Sequence, residues 1–261
     1  MGKINQHNTV ERRMKIMQML SAHDQVFVND LSKEFGVSEV TIRNDLEQLE
    51  MKKLLVRARG GAMSINQTVS FDQQLGEKNK INMSEKSRIG KVAAKLINDS
   101  DTVIIDSGTT TVEIVKNLST SLNNVTIITN ALNIANQLVS NTNINLIMPG
   151  GVLRKNSLCF IGPLAERNLK NFYVDKVFLG VDGFDPSNGI STPNIEEAYM
   201  NQIMIEVARE VIVVTDSSKF LRKSLAFICK LDKINIVITD SGILESDKKR
   251  LEDANIKVII A

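Results

Sequence analysis

Apolar positions in the first quarter of the chain recur at helical spacing. Ile42, Leu46 and Leu49 stand at i, i+4 and i+7, one buried stripe on a helix that Ser38 opens as N-cap. Thr41, Arg43, Asn44, Glu47 and Gln48 fall on its other faces. Ile16 and Leu20, flanked by Val10, Met14 and Met17, predict an earlier helix over residues 9–21, with Thr9 as its expected cap. A short helix over 30–35 packs Leu31 and Phe35 inward. Gly36 stops it, because glycine reaches positive φ at least cost. Two helices joined so tightly, the second with one apolar and one polar face, read as a helix-turn-helix with residues 38–49 as the recognition helix. Val56 and Ala58 then alternate with Arg57 and Arg59 ahead of Gly60-Gly61, the pattern of a β-hairpin or wing. Arg57 and Arg59 on one strand face suit phosphate contact or the minor groove; the alternative is a solvated strand face.

Residues 64–84 lose this periodicity. They are rich in Asn, Gln, Ser and Lys, with Val69, Phe71, Leu75 and Ile81 scattered, and read as a linker that holds one short helix at most. The expected organisation is a head over 1–63, the linker over 64–84 and a body over 85–261.

Beyond residue 85, short apolar runs alternate with helical patterns. Strands are expected at 103–105, 125–128, 145–148, 176–181, 211–214, 235–238 and 256–260. Helices are expected at 86–97, 112–118, 131–139, 163–172 and 195–209. Near-continuous apolar strands with helices between them predict an α/β body, a Rossmann-like parallel sheet covered on both faces.

The strand ends carry the chemistry, where open α/β sheets bind ligands. The first strand ends in Asp106-Ser107-Gly108-Thr109-Thr110-Thr111 and opens a helix, a set of hydroxyls and backbone N–H groups suited to an anion. It is not a P-loop, since no G-x-x-x-x-G-K-[ST] occurs. Helix capping by surface threonines is the alternative. Other strand ends bring Asn130, Gly150-Gly151, Asp182-Gly183 and Lys219. Lys219, after small hydroxyl residues, suits a phosphate dianion, or is a plain surface lysine. Asp182 suits sugar hydroxyls, or forms a turn before Gly183. Of Glu196 and Glu197, one complements a helix dipole and the other, taken as Glu197, faces the site. These residues make up the candidate effector site.

Charge and composition add little. Net charge is +2, and the surplus lies in residues 1–63, with ten Lys and Arg against eight Asp and Glu. Cys159 and Cys229 lie in apolar surroundings and are expected as buried, reduced thiols. His7 and His23 form no ligand cluster, so neither metal nor cofactor is expected. No apolar run approaches the ~20 residues of a membrane span, nor is there an apolar signal region, so a cytoplasmic location without membrane contact is expected.

Arg12, Ile16, Leu20, Ser38-x-x-Thr41-Ile42-Arg43-Asn44-Asp45-Leu46 and the wing from Arg59 to Ala62 resemble the DeoR family of bacterial transcriptional repressors. The resemblance implies a winged helix-turn-helix in which Ser38, Thr41, Arg43 and Asn44 contact operator DNA and Arg57 and Arg59 lie on backbone or minor groove. A carboxylate facing phosphate is repelled, so Asp45 is expected to orient Arg43 or cap a neighbouring helix. Residues 106–111, Leu179-Gly180-Val181-Asp182-Gly183, Asn194-x-x-Glu197-Ala198 and 215–219 resemble that family's sensor domain. Through it they resemble the fold of ribose-5-phosphate isomerase and glucosamine-6-phosphate deaminase. Within the family, the chain is most similar to repressors of N-acetylgalactosamine and galactosamine use. The implied function is a repressor of a carbohydrate-use operon, a dimer or tetramer controlled by a phosphorylated sugar. The competing reading is a sugar-phosphate isomerase with a DNA-binding head. Against it, the segment Ser187 to Asn194 holds no lysine, which the related enzymes carry there.

Overall fold

A computed structural model describes residues 9–23, 25–52, 54–58, 60–64, 72–220 and 222–261. The chain divides into two compact units, Met1–Phe71 and Asp72–Ala261.

The N-terminal unit contains helix α1 (Thr9–His23), strand β1 (Gln25–Phe27), helix α2 (Val28–Phe35), helix α3 (Glu39–Met51) and the strands β2 (Leu55–Ala58) and β3 (Gly61–Ser64). Thr9, expected as the cap of α1, is its first helical residue. Gly36 ends α2 in the left-handed region at φ 63°, and Ser38 caps α3 by accepting the Thr41 N–H at 3.2 Å. Ile16, Leu20, Leu31, Ile42, Leu46 and Leu55 fill one small core. β2 and β3 form the wing hairpin, and β1, which the sequence pattern does not reveal, pairs with β3. That pairing needs Gly61, because a Cβ there would lie 2.0 Å from the Val26 carbonyl oxygen. Arg59, His7, Val69 and Phe71 lie outside the described residues.

The second unit begins with helix α4 (Leu75–Lys78) and helix α5 (Met83–Ala94). Then come β4 (Thr102–Ile105), α6 (Thr111–Lys116), β5 (Val125–Ile128), α7 (Leu132–Leu138), β6 (Ile144–Ile147), β7 (Val152–Arg154) and β8 (Cys159–Ile161). After α8 (Pro163–Leu169) follow β9 (Val174–Gly180), β10 (Gly183–Asp185), β11 (Gly189–Thr192), α9 (Ile195–Glu206) and β12 (Ala208–Val214). The chain ends with β13 (Ala226–Cys229), β14 (Ile236–Thr239), α10 (Glu245–Asp253) and β15 (Lys257–Ile260).

Among the described residues, seven strands form a parallel sheet in the order β15-β14-β12-β9-β4-β5-β6. Successive residues serve opposite faces. Val103, Ile105, Phe178, Ile212 and Ile238 pack on one side with Ile89, Ile114 and Ile134 of α5, α6 and α7. Ile104, Val177, Leu179, Val213 and Val237 pack on the other with Leu169, Met200 and Leu251 of α8, α9 and α10.

Four features depart from the pattern read along the sequence. Residues 72–84, expected in the linker, belong to the second unit: Leu75 is buried and its N–H bonds the Asn156 carbonyl at 2.9 Å. The helix expected over 195–209 ends at Glu206, because Ala208 begins β12 and pairs with Val174 of β9. Val207 and Ala208 satisfy either period, and the sheet claims Ala208. The hairpin β7-β8 and the small antiparallel sheet β10-β11-β13 were also unexpected. Their strands are only three or four residues long, too short for an alternation to stand out.

Candidate functional site

In the N-terminal unit, α3 presents Arg43 and Asn44 to solvent, with Thr41 half-buried beside Ser38. Ser38 and Thr41 engage each other, hydroxyl to hydroxyl at 2.9 Å, as part of the cap. Arg43 pairs with Glu39 one turn back at 2.6 Å, with both side chains exposed. Such a surface pair contributes little and exchanges readily for a phosphate. Val40 is 71% exposed on this helix, an apolar group of the kind that reads a thymine methyl, and no local pattern singles it out along the chain. Arg57 turns back onto the helix: its Nη1 donates to the Arg43 carbonyl at 3.1 Å, and its N–H to Glu50 Oε1 at 2.8 Å.

Asp45 behaves otherwise than expected. It neither orients Arg43 nor caps a helix. It is 2% exposed and accepts from Arg12 Nε at 2.6 Å and Arg13 Nε at 2.7 Å, tying α3 to α1. Two residues on a helix lie about 200° apart, so Asp45 and Arg43 face opposite ways.

In the α/β unit the direction of strand order reverses between β4 and β9. The chain runs β4, β5, β6 to one side and β9, β12, β14, β15 to the other. Such a switch point opens a crevice at the carboxyl ends of the strands. Asp106–Thr110 leave β4 there and Val181–Asp182 leave β9, with Gly108 and Gly180 in close approach. Asp106 is buried, and burial, reinforced by the Glu197 charge, pushes its pKa up to about 7. Thr109, Thr110 and Thr111 are also buried, and Thr111 Oγ1 donates to the Gly108 carbonyl at 3.1 Å.

Asp182 receives two lysines. Lys78 Nζ lies 2.8 Å and Lys219 Nζ 3.7 Å from the same oxygen, Oδ1. Burial works against the Asp182 charge, but the two ammonium groups outweigh it and hold the pKa below the usual carboxylate range. Lys219 is pushed below its ordinary pKa, by burial first, against the pull of Asp182 and Asp216. Its position is built locally. Asp216 caps the turn Ser217–Lys219 through the Ser218 N–H at 3.1 Å, and Asp240 accepts the Ser217 N–H at 2.6 Å. The ring of Phe220 then stacks on Phe184 at 4.7 Å.

Glu197 sits in the first turn of α9, and its N–H is capped by Asn194 at 2.9 Å. Its carboxylate accepts from Arg154 Nη1 at 3.0 Å, and Arg154 also pairs with Asp72. Asn130 is buried, and its Nδ2 donates to the Phe160 carbonyl at 3.2 Å. Among the described residues its Oδ1 has no partner.

Three glycines of the expected site have structural duties. A Cβ on Gly183 would stand 2.6 Å from Ser191 Oγ and 2.7 Å from the Arg222 carbonyl. Gly150 and Gly151, at φ 74° and 116°, turn the chain after β6 into the hairpin that delivers Arg154. β6 is four strands from β12, about 19 Å at sheet spacing, so this turn is not beside Lys219. Conversely, Asp72, Lys78, Asn82 and Arg154 were missed. They stand in polar stretches with no local motif, and only folding brings them to the strand ends. Cys159 and Cys229 are buried free thiols, each pushed up to about 12 by burial.

Residues 12–68 match the DeoR-like helix-turn-helix domain, and residues 81–241 match the DeoR C terminal sensor domain. The chain belongs to the DeoR family. It is a DNA-binding transcriptional regulator, and family membership decides against the isomerase reading. A relative from Escherichia coli O157:H7, described as a putative aga operon transcriptional repressor, is 44% identical over 97% of this chain and 94% of its own. The regulator YulB of Bacillus subtilis is 39% identical over 95% of each chain. Among solved structures, the full-length sorbitol operon regulator SorC of Klebsiella pneumoniae matches with 12% identity and a TM-score of 0.40, over 94% of this chain and 99% of its own. Ribose 5-phosphate isomerase A of Methanocaldococcus jannaschii matches with 18% identity and a TM-score of 0.38, over 54% and 56%. No helix among the described residues is long and apolar enough to cross a membrane.

Proposed function

We propose that this DeoR-family regulator represses a carbohydrate-use operon and is controlled by a phosphorylated sugar held at the switch point between β4 and β9. The observation that carries this reading is one carboxylate oxygen of Asp182 shared by Lys78 and Lys219 at that crevice. Two ammonium groups converging on one oxygen suit a phosphoryl group. The buried hydroxyls of Thr109 and Thr110 and the free Asn130 Oδ1 suit sugar hydroxyls. The printed name of one relative, a putative aga operon transcriptional repressor, supports the same class.

The head, residues 1–63, carries operator contacts through Ser38, Thr41, Arg43 and Asn44, with Arg57, which also buttresses α3, and Arg59 on the DNA backbone or minor groove. One small head offers few contacts, so two heads of a dimer or tetramer engage two half-sites in the cytoplasm.

Thermal unfolding against a panel of phosphorylated sugars, each beside its unphosphorylated parent, tests the effector class. A binder present at about 100 times its dissociation constant stabilises the folded body by about 2.7 kcal/mol. A shift with one phosphorylated sugar and none with its parent supports the reading, and no shift across the panel overturns it.

Two substitutions separate the halves. Arg43→Ala is expected to weaken operator binding at least tenfold, read by fluorescence anisotropy, with the effector-induced thermal shift unchanged. Lys219→Ala is expected to bind operator as the wild type does while losing release or capture by effector. An effect of Lys219→Ala on DNA affinity alone would contradict the assignment.

A further inference from the structure

The solvent-facing side of α3 divides into side chains that are already engaged and side chains that are free. The hydroxyls of Ser38 and Thr41 are joined at 2.9 Å, and Ser38 Oγ also accepts the Thr41 N–H, so both serve the cap. Arg43 lies against Glu39, and its backbone carbonyl accepts from Arg57. Val40 and Asn44 stand apart from these pairings. Val40 is 71% exposed, and Asn44 is exposed with no side-chain partner among the described residues. Residues four apart on a helix lie about 40° apart around its axis and about 6 Å along it. Val40 and Asn44 therefore form one patch, an apolar group beside a primary amide. Glu47 continues the same face one turn further on and is exposed. Its carboxylate is repelled by the phosphates on either side of a groove, which confines close approach to the first two turns of α3.

We propose that Val40 and Asn44 are the base-reading pair of this helix: Val40 packs on a thymine methyl, and the Asn44 amide spans N6 and N7 of an adenine. This rests on the reading of α3 as a recognition helix in the major groove and divides its contacts by task. In that groove thymine alone presents a methyl group, and adenine alone presents an amino donor beside an N7 acceptor. A side-chain amide, with one acceptor and one donor group in a plane, matches that edge. Guanine offers two acceptors there and would set one against the amide oxygen. The spacing of about 6 Å between the two residues corresponds to about two base-pair steps of about 3.4 Å. The thymine and the adenine are therefore expected within two positions of each other. Ser38, Thr41 and Arg43 hold the helix on the phosphate backbone, contacts that fix register and carry no sequence information.

The test uses the full chain and the tightest-binding duplex selected from a library of random duplexes, with affinity read by fluorescence anisotropy. Each thymine in turn is replaced by deoxyuridine, which lacks only the C5 methyl, and each adenine by 7-deazaadenine, which lacks the N7 acceptor. In the wild type, deoxyuridine at one position is expected to weaken binding about fourfold, the worth of one buried methyl-sized group. At an adenine within two base pairs of it, 7-deazaadenine is expected to weaken binding about tenfold. Val40→Ala is expected to bind thymine and deoxyuridine alike at that position while keeping the 7-deazaadenine response, and Asn44→Ala the reverse. Arg43→Ala is expected to weaken binding to the selected duplex and to a scrambled one by the same factor. A deoxyuridine response that is absent from the wild type, or that persists in Val40→Ala, overturns the role of Val40. A 7-deazaadenine response that persists in Asn44→Ala overturns that of Asn44. If Arg43→Ala weakens binding to the selected duplex alone, Arg43 reads a base and the division of tasks is wrong, with α3 still the recognition helix. If the wild type enriches no sequence from the library, the recognition-helix reading itself fails. The wild-type responses to the two base analogues decide the matter even if a variant folds poorly.

Discussion

Asp45→Ala is expected to unfold the N-terminal unit at temperatures where the α/β unit stays folded, and with it to abolish operator binding. Asp45 is 2% exposed and Arg12 7%, so their pairing is removed from solvent. Removing one partner of a buried ion pair costs about 3–5 kcal/mol, because the remaining charge stays desolvated without its counter-ion. A domain of this size has a total stability of order 5 kcal/mol. The pair also fixes α1 against α3, so the recognition helix loses its mount even where the unit survives. Calorimetry on the full chain should show the head's transition lost or displaced downward and the body's unchanged. Retained operator affinity in Asp45→Ala would show that the apolar core alone positions α3.

Asp106→Asn is expected to remove a pH dependence of the α/β unit. Burial raises the folded pKa of Asp106 to about 7, and Glu197 adds to the shift. Between the unfolded value near 3.9 and the folded value, the folded state binds a proton that the unfolded state releases. Stability therefore falls as pH climbs from 4 to 7 and levels off above. A shift of about three units corresponds to a loss of up to ~4 kcal/mol across that window. The amide copies the neutral carboxyl, so the variant should match the wild type near pH 4 and exceed it at pH 8. Denaturant unfolding of both proteins at the two pH values measures this, and parallel stabilities would place the titration elsewhere. The same buried acid beside Glu197 gives the crevice a site whose protonation a ligand can change.

Much of the fold was legible because its causes are local. The stripe Ile42, Leu46, Leu49, the cap at Ser38 and the stop at Gly36 are relations between residues at most seven apart, and each stands where the pattern puts it. The apolar strands of the parallel sheet declare themselves because both of their faces are buried. Among the candidate site residues, Asp106, Asp182 and Lys219 could be read in advance because each lies within five residues of the end of a legible strand, and strand ends are where such sheets bind. Gly150, Gly151 and Gly183 were drawn in by the same rule, although their glycine character serves a turn and a close backbone contact.

The local pattern of the chain thus determined a winged helix-turn-helix head and an α/β body with an anion-suited sheet edge, in composition if not in detail. Which residues complete that edge was decided by tertiary structure. Lys78 reaches Asp182 across 104 positions and Asn82 reaches Asp216 across 134, from a polar stretch with no periodicity to read. Asp45 takes Arg12 as its partner across 33 positions rather than Arg43 two away. Hydrogen bonds and ion pairs at such separations leave no period in the sequence. They exist only once hydrophobic burial has closed the chain and set the charged groups within reach, and the cost of burying each charge then selects its partner.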